Sequence, residues 1–176
     1  MLLTVYVDDL LVMGPPALCA RVAAQLNAKF TLTSLGNVKY LLGIEITLDG
    51  VHSKVAFSQR AHINKLLKKF GLANSYGGWK PQTTSASRAV AKPWSKQTDF
   101  SYQKLAGGLQ YLVPGSRPDI AHALRHLGKF LSCYTEQHYR EAERVLRYLL
   151  QTSDYALHMD IGNGDNMEIS VFTDSD

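Results

Sequence analysis

At 176 residues, with 45% apolar side chains and a formal charge of +4, the chain can build one domain or two small ones, and its composition excludes a disordered coil. Cys19 and Cys133 lie far apart without Cys-x-x-Cys spacing, which argues against a zinc knuckle or disulfide framework and fits a reducing compartment with no disulfide partner. No apolar run approaches the roughly 20 residues of a membrane span, and no basic leader precedes the first apolar segment, so neither a membrane partner nor export is expected.

The first predicted element is a hairpin. Leu2, Leu3, Thr4, Val5 and Leu10, Leu11, Val12, Met13 are strand-favouring runs on either side of Tyr6-Val7-Asp8-Asp9, with Asp8-Asp9 as the expected turn. Aspartate in a turn often only bonds its own backbone. Two adjacent carboxylates also suit Mg2+, a hard cation commonly held by one or two carboxylates together with substrate phosphates. Pro15 and Pro16 fit a helix start, and Leu18, Val22, Leu26 and Phe30 predict an amphipathic helix of about four turns packing on the hairpin, with Cys19 as a small apolar neighbour.

Val38 to Leu48 and Val51 to Phe57 flank Asp49-Gly50, a strong hairpin signal, and Gly43 in the first arm marks either a close backbone approach or a bulge. Ser58 can cap a helix whose Ile63, Leu66, Leu67 and Phe70 share one face, with Gly71 placed to end it. Its other face carries Lys65, Lys68 and Lys69. The net charge conceals a segregation: residues 51–98 hold Lys54, Arg60, Lys65, Lys68, Lys69, Lys80, Arg88, Lys92 and Lys96 with no Asp or Glu. Such a block is either a solvated lysine surface or the footprint of phosphate-backbone binding, and nucleic acid is the expected partner. From Tyr148 onward the bias reverses, with Asp154, Asp160, Asp165, Glu168, Asp174 and Asp176 facing no Lys or Arg.

Residues 74–98, with Gly77-Gly78, Pro81 and Pro93, read as a linker where two packing units should part. Asp99 can cap a helix bearing Leu105, Leu109 and Leu112, weakened at Gly107-Gly108 unless close packing needs them. Ser116-Arg117-Pro118-Asp119 has the shape of a capping box ahead of Ile120, Leu124, Leu127 and Leu131. Thr135 can cap a third helix with Ala142, Val145, Leu146 and Leu149 inward. Its outer face carries Arg140, Arg144 and Arg147, with Glu136 and Glu143 at pairing distance in sequence, so it is either a self-neutralised face or a nucleic-acid contact. His122 and His126 share metal-ligand spacing but lack a third ligand, and are read as surface residues. Tyr155 to Met159 and Met167 to Thr173 alternate as two strands around a Gly162 to Asp165 turn.

Tyr6-Val7-Asp8-Asp9 in its apolar hairpin resembles the metal-binding motif of reverse transcriptases, most closely those of copia-type retrotransposons. The order of later segments resembles them too: Phe30 to Gly36, Tyr40 to Ile46 (the primer-gripping strand pair), Gln59 to Leu72 (a thumb helix), Tyr102 to Leu112, Ser116 to Ala121 and Arg144 to Leu149 (a connection), and Phe172 to Asp176 (the first strand of ribonuclease H). The implied fold is α+β. Its expected parts are a partial palm over 1–57, a thumb helix over 58–73, a linker over 74–98, a helical connection over 99–152 and a ribonuclease H start over 153–176. Ser34, His62, Ala106, Gly108 and Pro114-Gly115 depart from the usual pattern, and none touches the aspartate pair.

The resemblance implies two-metal nucleotidyl transfer with Mg2+ or Mn2+. Asp8 would be the principal ligand and Asp9 its support. Tyr6 and Val7, with Leu42, Gly43 and Ile44, would lie near the primer, and Lys65, Lys68 and Lys69 on the duplex. Asp174 would be the first ribonuclease H ligand. Implied partners are an RNA template, a DNA primer or RNA–DNA hybrid, and the rest of a Pol polyprotein, in a cytoplasmic virus-like particle or the nucleus. A further palm aspartate and the fingers are not among these residues, so the chain is expected to be inactive alone. The alternative reading is a non-catalytic nucleic-acid-binding remnant.

Overall fold

The computed structural model describes residues 1–49, 54–82 and 102–160. They form an α+β arrangement with antiparallel sheets, as expected. Gly50, Arg88, Lys92, Lys96, the Asp99 cap, the Gly162 to Asp165 turn, the strand expected over Met167 to Thr173, and Asp174 lie outside the described residues. The chain divides into two units, Met1–Lys39 and Tyr40–Asp176.

In the first unit, β1 (Leu2–Tyr6) and β2 (Asp9–Met13) pair antiparallel, Leu2 opposite Met13 and Tyr6 opposite Asp9. Helix α1 (Pro16–Asn27) has Pro16 in its first turn, where a missing N–H removes no helical bond. It is shorter than the apolar repeat predicts. Its last turn tightens as Lys29 N–H bonds Leu26 O at 3.0 Å, and Asn27 Oδ1 accepts from Leu32 N–H at 3.2 Å, turning the chain away. Phe30 therefore falls outside the helix and is exposed, while Leu18, Cys19, Val22 and Leu26 are half-buried.

The second unit opens with a sheet of β3 (Tyr40–Leu41), β4 (Ile44–Asp49), β5 (Lys54–Ser58) and β6 (Leu157–Asp160), in that order. Val38 to Leu48 is not one strand arm, because Leu42-Gly43 reverses the chain between β3 and β4. Ile46 lies opposite Phe57, which lies opposite Leu157; Leu48, Val55 and Met159 form the next row, so one sheet face is apolar. Lys54 stands opposite both Asp49 and Asp160.

Helix α2 (Arg60–Lys69) starts one residue later than a Ser58 cap requires: Gln59 takes the cap position and Ser58 Oγ accepts from Arg60 N–H at 3.3 Å. Its end follows expectation. With Gly71 at φ +70°, Gly71 N–H bonds Lys68 O at 3.2 Å and Leu72 N–H bonds Leu67 O at 2.9 Å, and Leu72 is buried.

Four helices follow: α3 (Tyr102–Gln110), α4 (Leu112–Gly115), α5 (Ala121–Gly128) after a 3-10 turn at Pro118–Ile120, and α6 (Glu136–Gln151). Ile63, Leu66 and Leu67 of α2 enter the same core as Leu105, Leu109, Leu112, Ile120, Leu124, Leu127, Val145, Leu146 and Leu149. The packing boundary expected at 74–98 is thus corrected, since elements on both sides of it share one core. Gly108 explains part of this: a Cβ there would stand 2.7 Å from Leu66 Cδ2, so its helix penalty of about 1 kcal/mol is offset by close approach of α2 and α3. Leu131, expected in the α5 stripe, lies beyond the helix and is exposed.

The capping box expected at Ser116 does not form. Ser116 Oγ donates to Gln59 Oε1 at 2.9 Å, and Arg117 turns inward to 1% exposure. Its Nε and Nη2 donate to the two Asp119 carboxylate oxygens at 3.0 and 2.7 Å, and Nη1 and Nη2 donate to Thr152 O and Oγ1 at 2.9 and 2.6 Å. Tyr148 O–H also donates to Asp119, at 2.8 Å. Burial pushes the Asp119 carboxyl up, but hydrogen bonds from Arg117 and Tyr148 and the guanidinium charge outweigh it and hold it below its ordinary range. Because the network is bidentate and buried, we expect Arg117→Met to lower the unfolding free energy by about 3 kcal/mol or more. Arg117→Lys, lacking the planar fork, should recover only part of it. Urea unfolding checks both; a wild-type midpoint for Arg117→Met would refute the assignment.

Thr135 caps α6 as expected, with His138 in the third position: His138 N–H bonds Thr135 Oγ1 at 3.5 Å and Thr135 N–H bonds His138 Nδ1 at 3.0 Å. That second bond needs an unprotonated Nδ1. Burial, opposed by Glu141 and reinforced by His126, holds the ring below its ordinary value of 6.5. The unfolded chain therefore binds this proton more readily, so the stabilisation is complete above pH 6.5 and is lost as pH falls through the folded value. His138→Gln keeps a side-chain acceptor without titrating. Its stability should fall less than wild type between pH 7.5 and pH 5 in parallel urea titrations, and identical slopes would contradict this.

Candidate functional site

The structure moves the first hairpin's turn by one residue. Because Tyr6 pairs with Asp9, the two-residue turn is Val7-Asp8, and Asp9 opens β2 instead of completing the loop. Val7 has φ +51° while Asp8 is outside the left-handed region, the type II′ pattern whose first position is normally glycine. A β-branched residue there is a backbone outlier, and strain of this kind costs on the order of 1–3 kcal/mol. Val7 is 82% exposed, so packing does not account for it. Tyr6, Asp8 and Asp9 are exposed as well.

Two exposed carboxylates on consecutive residues fit a hard divalent cation that keeps part of its water shell. Among the described residues no group of three or more His, Cys, Asp or Glu side chains is placed to hold a metal ion. The hairpin offers a pair of ligands and no enclosed cage. The two histidines, His122 and His126, have separate partners: His122 Nδ1 lies 2.7 Å from Gln82 Oε1, and His126 packs edge-on against Phe130.

Leu42, Gly43 and Ile44 form the tip of the second hairpin. Leu42 at φ +50° and Gly43 at φ +75° make both central positions left-handed, the type I′ pattern, and Ile44 opens β4 opposite Leu41. The close approach expected at Gly43 is to Tyr111: a Cβ on Gly43 would stand 2.8 Å from the phenol oxygen, whose O–H donates to Leu42 O. The Tyr111 ring meets His62 of α2 edge-on at 4.8 Å, and His62 Nε2 lies 3.0 Å from Gly108 O. Since His62, Lys65 and Lys69 fall on one helix stripe, Tyr111 links this tip to the start of the lysine face. No sequence signal marked Tyr111, because the partner that gives it a role is remote in the chain.

Lys65, Lys68 and Lys69 are exposed on α2 opposite buried Ile63, Leu66 and Leu67. Lys68 and Lys69 in the last turn also complement the helix dipole. The basic block is partly answered within the fold: Arg60 pairs with Asp154 at 2.9 Å, and Lys54 faces Asp160 across β6. On α6 the expected pairs form, Arg140 with Glu136 at 2.6 Å and Arg147 with Glu143 at 3.8 Å. Asp8 and Asp9 belong to the first unit and the lysines to the second.

Residues 1–84 match the family model for reverse transcriptase (RNA-dependent DNA polymerase). The chain is 30% identical over 98% of its length to the retrovirus-related Pol polyprotein from transposon RE1 of Arabidopsis thaliana, and 27% identical over 99% of its length to that from transposon TNT 1-94 of Nicotiana tabacum. It spans 12% and 14% of those two polyproteins. It is also 31% identical over its whole length to an uncharacterized mitochondrial protein of Arabidopsis thaliana, of which it covers 71%. No solved structure matches.

The left-handed Val7 generates a direct test. Val7→Gly removes the Cβ conflict, which outweighs the added freedom of glycine in the unfolded chain, and should stabilise the hairpin by about 1 kcal/mol. Amide hydrogen exchange at Tyr6 and Asp9 reads this locally. Slower exchange in the variant is expected, and faster exchange would contradict the strain.

Proposed function

Since the chain belongs to the reverse transcriptase family of copia-type retrotransposon Pol polyproteins, we propose that it contributes the Asp8-Asp9 metal-ligand pair of a polymerase palm and a basic thumb helix that holds the primer–template duplex. The observation that carries this reading is the pair of exposed carboxylates at the strained tip of an apolar hairpin. In this reading residues 1–57 are palm, 58–73 thumb and 99–152 connection. Residues 153–176 begin a ribonuclease H whose first ligand is Asp174.

Asp8 is the principal ligand for Mg2+ or Mn2+, and Asp9 supports the site. The bound ions would activate the primer hydroxyl and stabilise the leaving oxygens of in-line phosphoryl transfer. Tyr6 and Val7 border the primer terminus, and Leu42, Gly43 and Ile44 present backbone to its last nucleotides. Lys65, Lys68 and Lys69 meet duplex phosphates as point charges. Among the described residues the hairpin supplies a pair of carboxylates, and in this reading the remaining ligand and the surfaces that seat the nucleotide would come from elsewhere in the polyprotein. Activity would then reside in a cytoplasmic virus-like particle.

The test uses the 176-residue chain. No templated primer extension with Mg2+ is expected. Mn2+ should broaden the amide resonances of residues 6–10, and Asp8→Asn with Asp9→Asn should abolish that broadening. An RNA–DNA duplex should bind with a strong salt dependence, and replacing Lys65, Lys68 and Lys69 with Ala should reduce the log–log salt slope by roughly 2–3. Templated extension by this chain would overturn the need for further ligands. Duplex binding with no manganese effect would favour the binding-only remnant, and an unchanged salt slope would remove the thumb assignment.

A further inference from the structure

Residues 77–82 run along one edge of α6. Gly78 N–H donates to Arg147 O at 2.9 Å, and a Cβ on Gly77 would stand 3.0 Å from Gln151 Cβ. Farther along, Pro81 and Gln82 border a depression shared with Arg144 and Val145, and Gln82 reaches His122 on α5. The segment therefore passes Gln151, Arg147 and Arg144 in turn, antiparallel to the helix. Those three residues have the i, i+3, i+7 spacing of a single stripe.

This pinned backbone holds two large rings in solvent. Tyr76 is 95% exposed and Trp79 is 74% exposed, although both flank glycines that are fastened to the helix. Lys80 is exposed beside Trp79, and Arg144 is exposed on the neighbouring stripe, where Arg147 also lies within reach of Glu143. Two exposed aromatic rings and exposed cations along one ledge suit a polyanion that also has flat apolar faces.

We propose that this ledge binds single-stranded nucleic acid, with bases stacking on Tyr76 and Trp79 and phosphates meeting Lys80, Arg144 and Arg147. A duplex hides its base faces, whereas an unpaired strand offers them, and stacking on aromatic rings tolerates any sequence. The inference rests on the nucleic-acid reading of the chain and assigns it a second surface, distinct from the α2 lysines, for the unpaired strand.

The experiment compares a fluorescein-labelled 20-nucleotide single strand with an RNA–DNA duplex of equal length. Tyr76→Ala with Trp79→Ala, both at exposed positions, should weaken single-strand binding by roughly ten- to a hundredfold and leave duplex affinity unchanged. Replacing Lys65, Lys68 and Lys69 with Ala should do the reverse. In a Trp94→Phe background the single strand should quench Trp79 fluorescence, and Trp79→Phe should retain most of the affinity. Unchanged single-strand affinity in the double alanine variant, or no quenching, overturns the ledge while leaving the duplex reading in place. Loss of both probes to the same extent also overturns it. If wild type binds neither probe, the nucleic-acid reading itself fails.

Discussion

The second unit depends on the buried guanidinium of Arg117. Removing an arginine from water costs several kcal/mol unless its donors are satisfied. Here they are taken by Asp119 two residues on and by Thr152 at the end of α6, with Tyr148 and Tyr155 stacked 5.4 and 5.6 Å from the guanidinium carbon. Thr152 O is one of the carbonyls that a helix end leaves without an internal partner, so the same contact closes α6. It also fixes where the chain leaves that helix. Five residues later Leu157 starts β6, which pairs with β5, and β5 runs directly into α2. The placement of the lysine helix and that of β6 therefore share one polar anchor.

The two hairpin tips use the same device with different support. Each puts a bulky residue, Val7 or Leu42, at the first turn position with positive φ, where glycine, asparagine or aspartate would be easier. At Leu42 the cost is met by a visible contact, since Tyr111 donates to its carbonyl and tolerates no Cβ on the next residue. Val7 stands in solvent. Its strain is therefore not offset by local packing, and the residue that shares the turn with it is Asp8.

What the sequence disclosed and what it concealed differ by range. The Schellman end at Gly71, the Thr135 cap, the inward stripe of α6 and its Glu–Arg pairs were legible because each depends on residues within one or two turns. The family was legible from the aspartate pair and the order of the segments around it. Arg117 was misread because Ser-Arg-Pro-Asp satisfies a local capping pattern, and only remote Thr152 and Tyr148 make burial of the arginine favourable. The Leu42-Gly43 turn carries no Asn-Gly or Asp-Gly cue, so Val38 to Leu48 looked continuous. The pairing of β6 with β5 was invisible for the same reason as the answering of Lys54 and Arg60 by Asp160 and Asp154: the acidic segment lies a hundred residues from the basic one.

The carboxylate pair is tied to a hairpin with little of its own to hold it. Leu3, Val5, Leu10 and Val12 share one face, and Leu2, Leu11 and Met13 the other, so both faces are apolar as in strands buried on two sides. No residue of this unit is fully buried, and Leu2, Leu3, Val5, Leu10 and Met13 are exposed. A two-stranded ribbon in water is marginally stable at best. Covering those side chains would contribute about 1.5–3 kcal/mol for each one fully buried, enough to exceed the strain at Val7. The register that sets Asp8 in the turn and Asp9 in the strand is therefore strengthened by whatever packs on the hairpin.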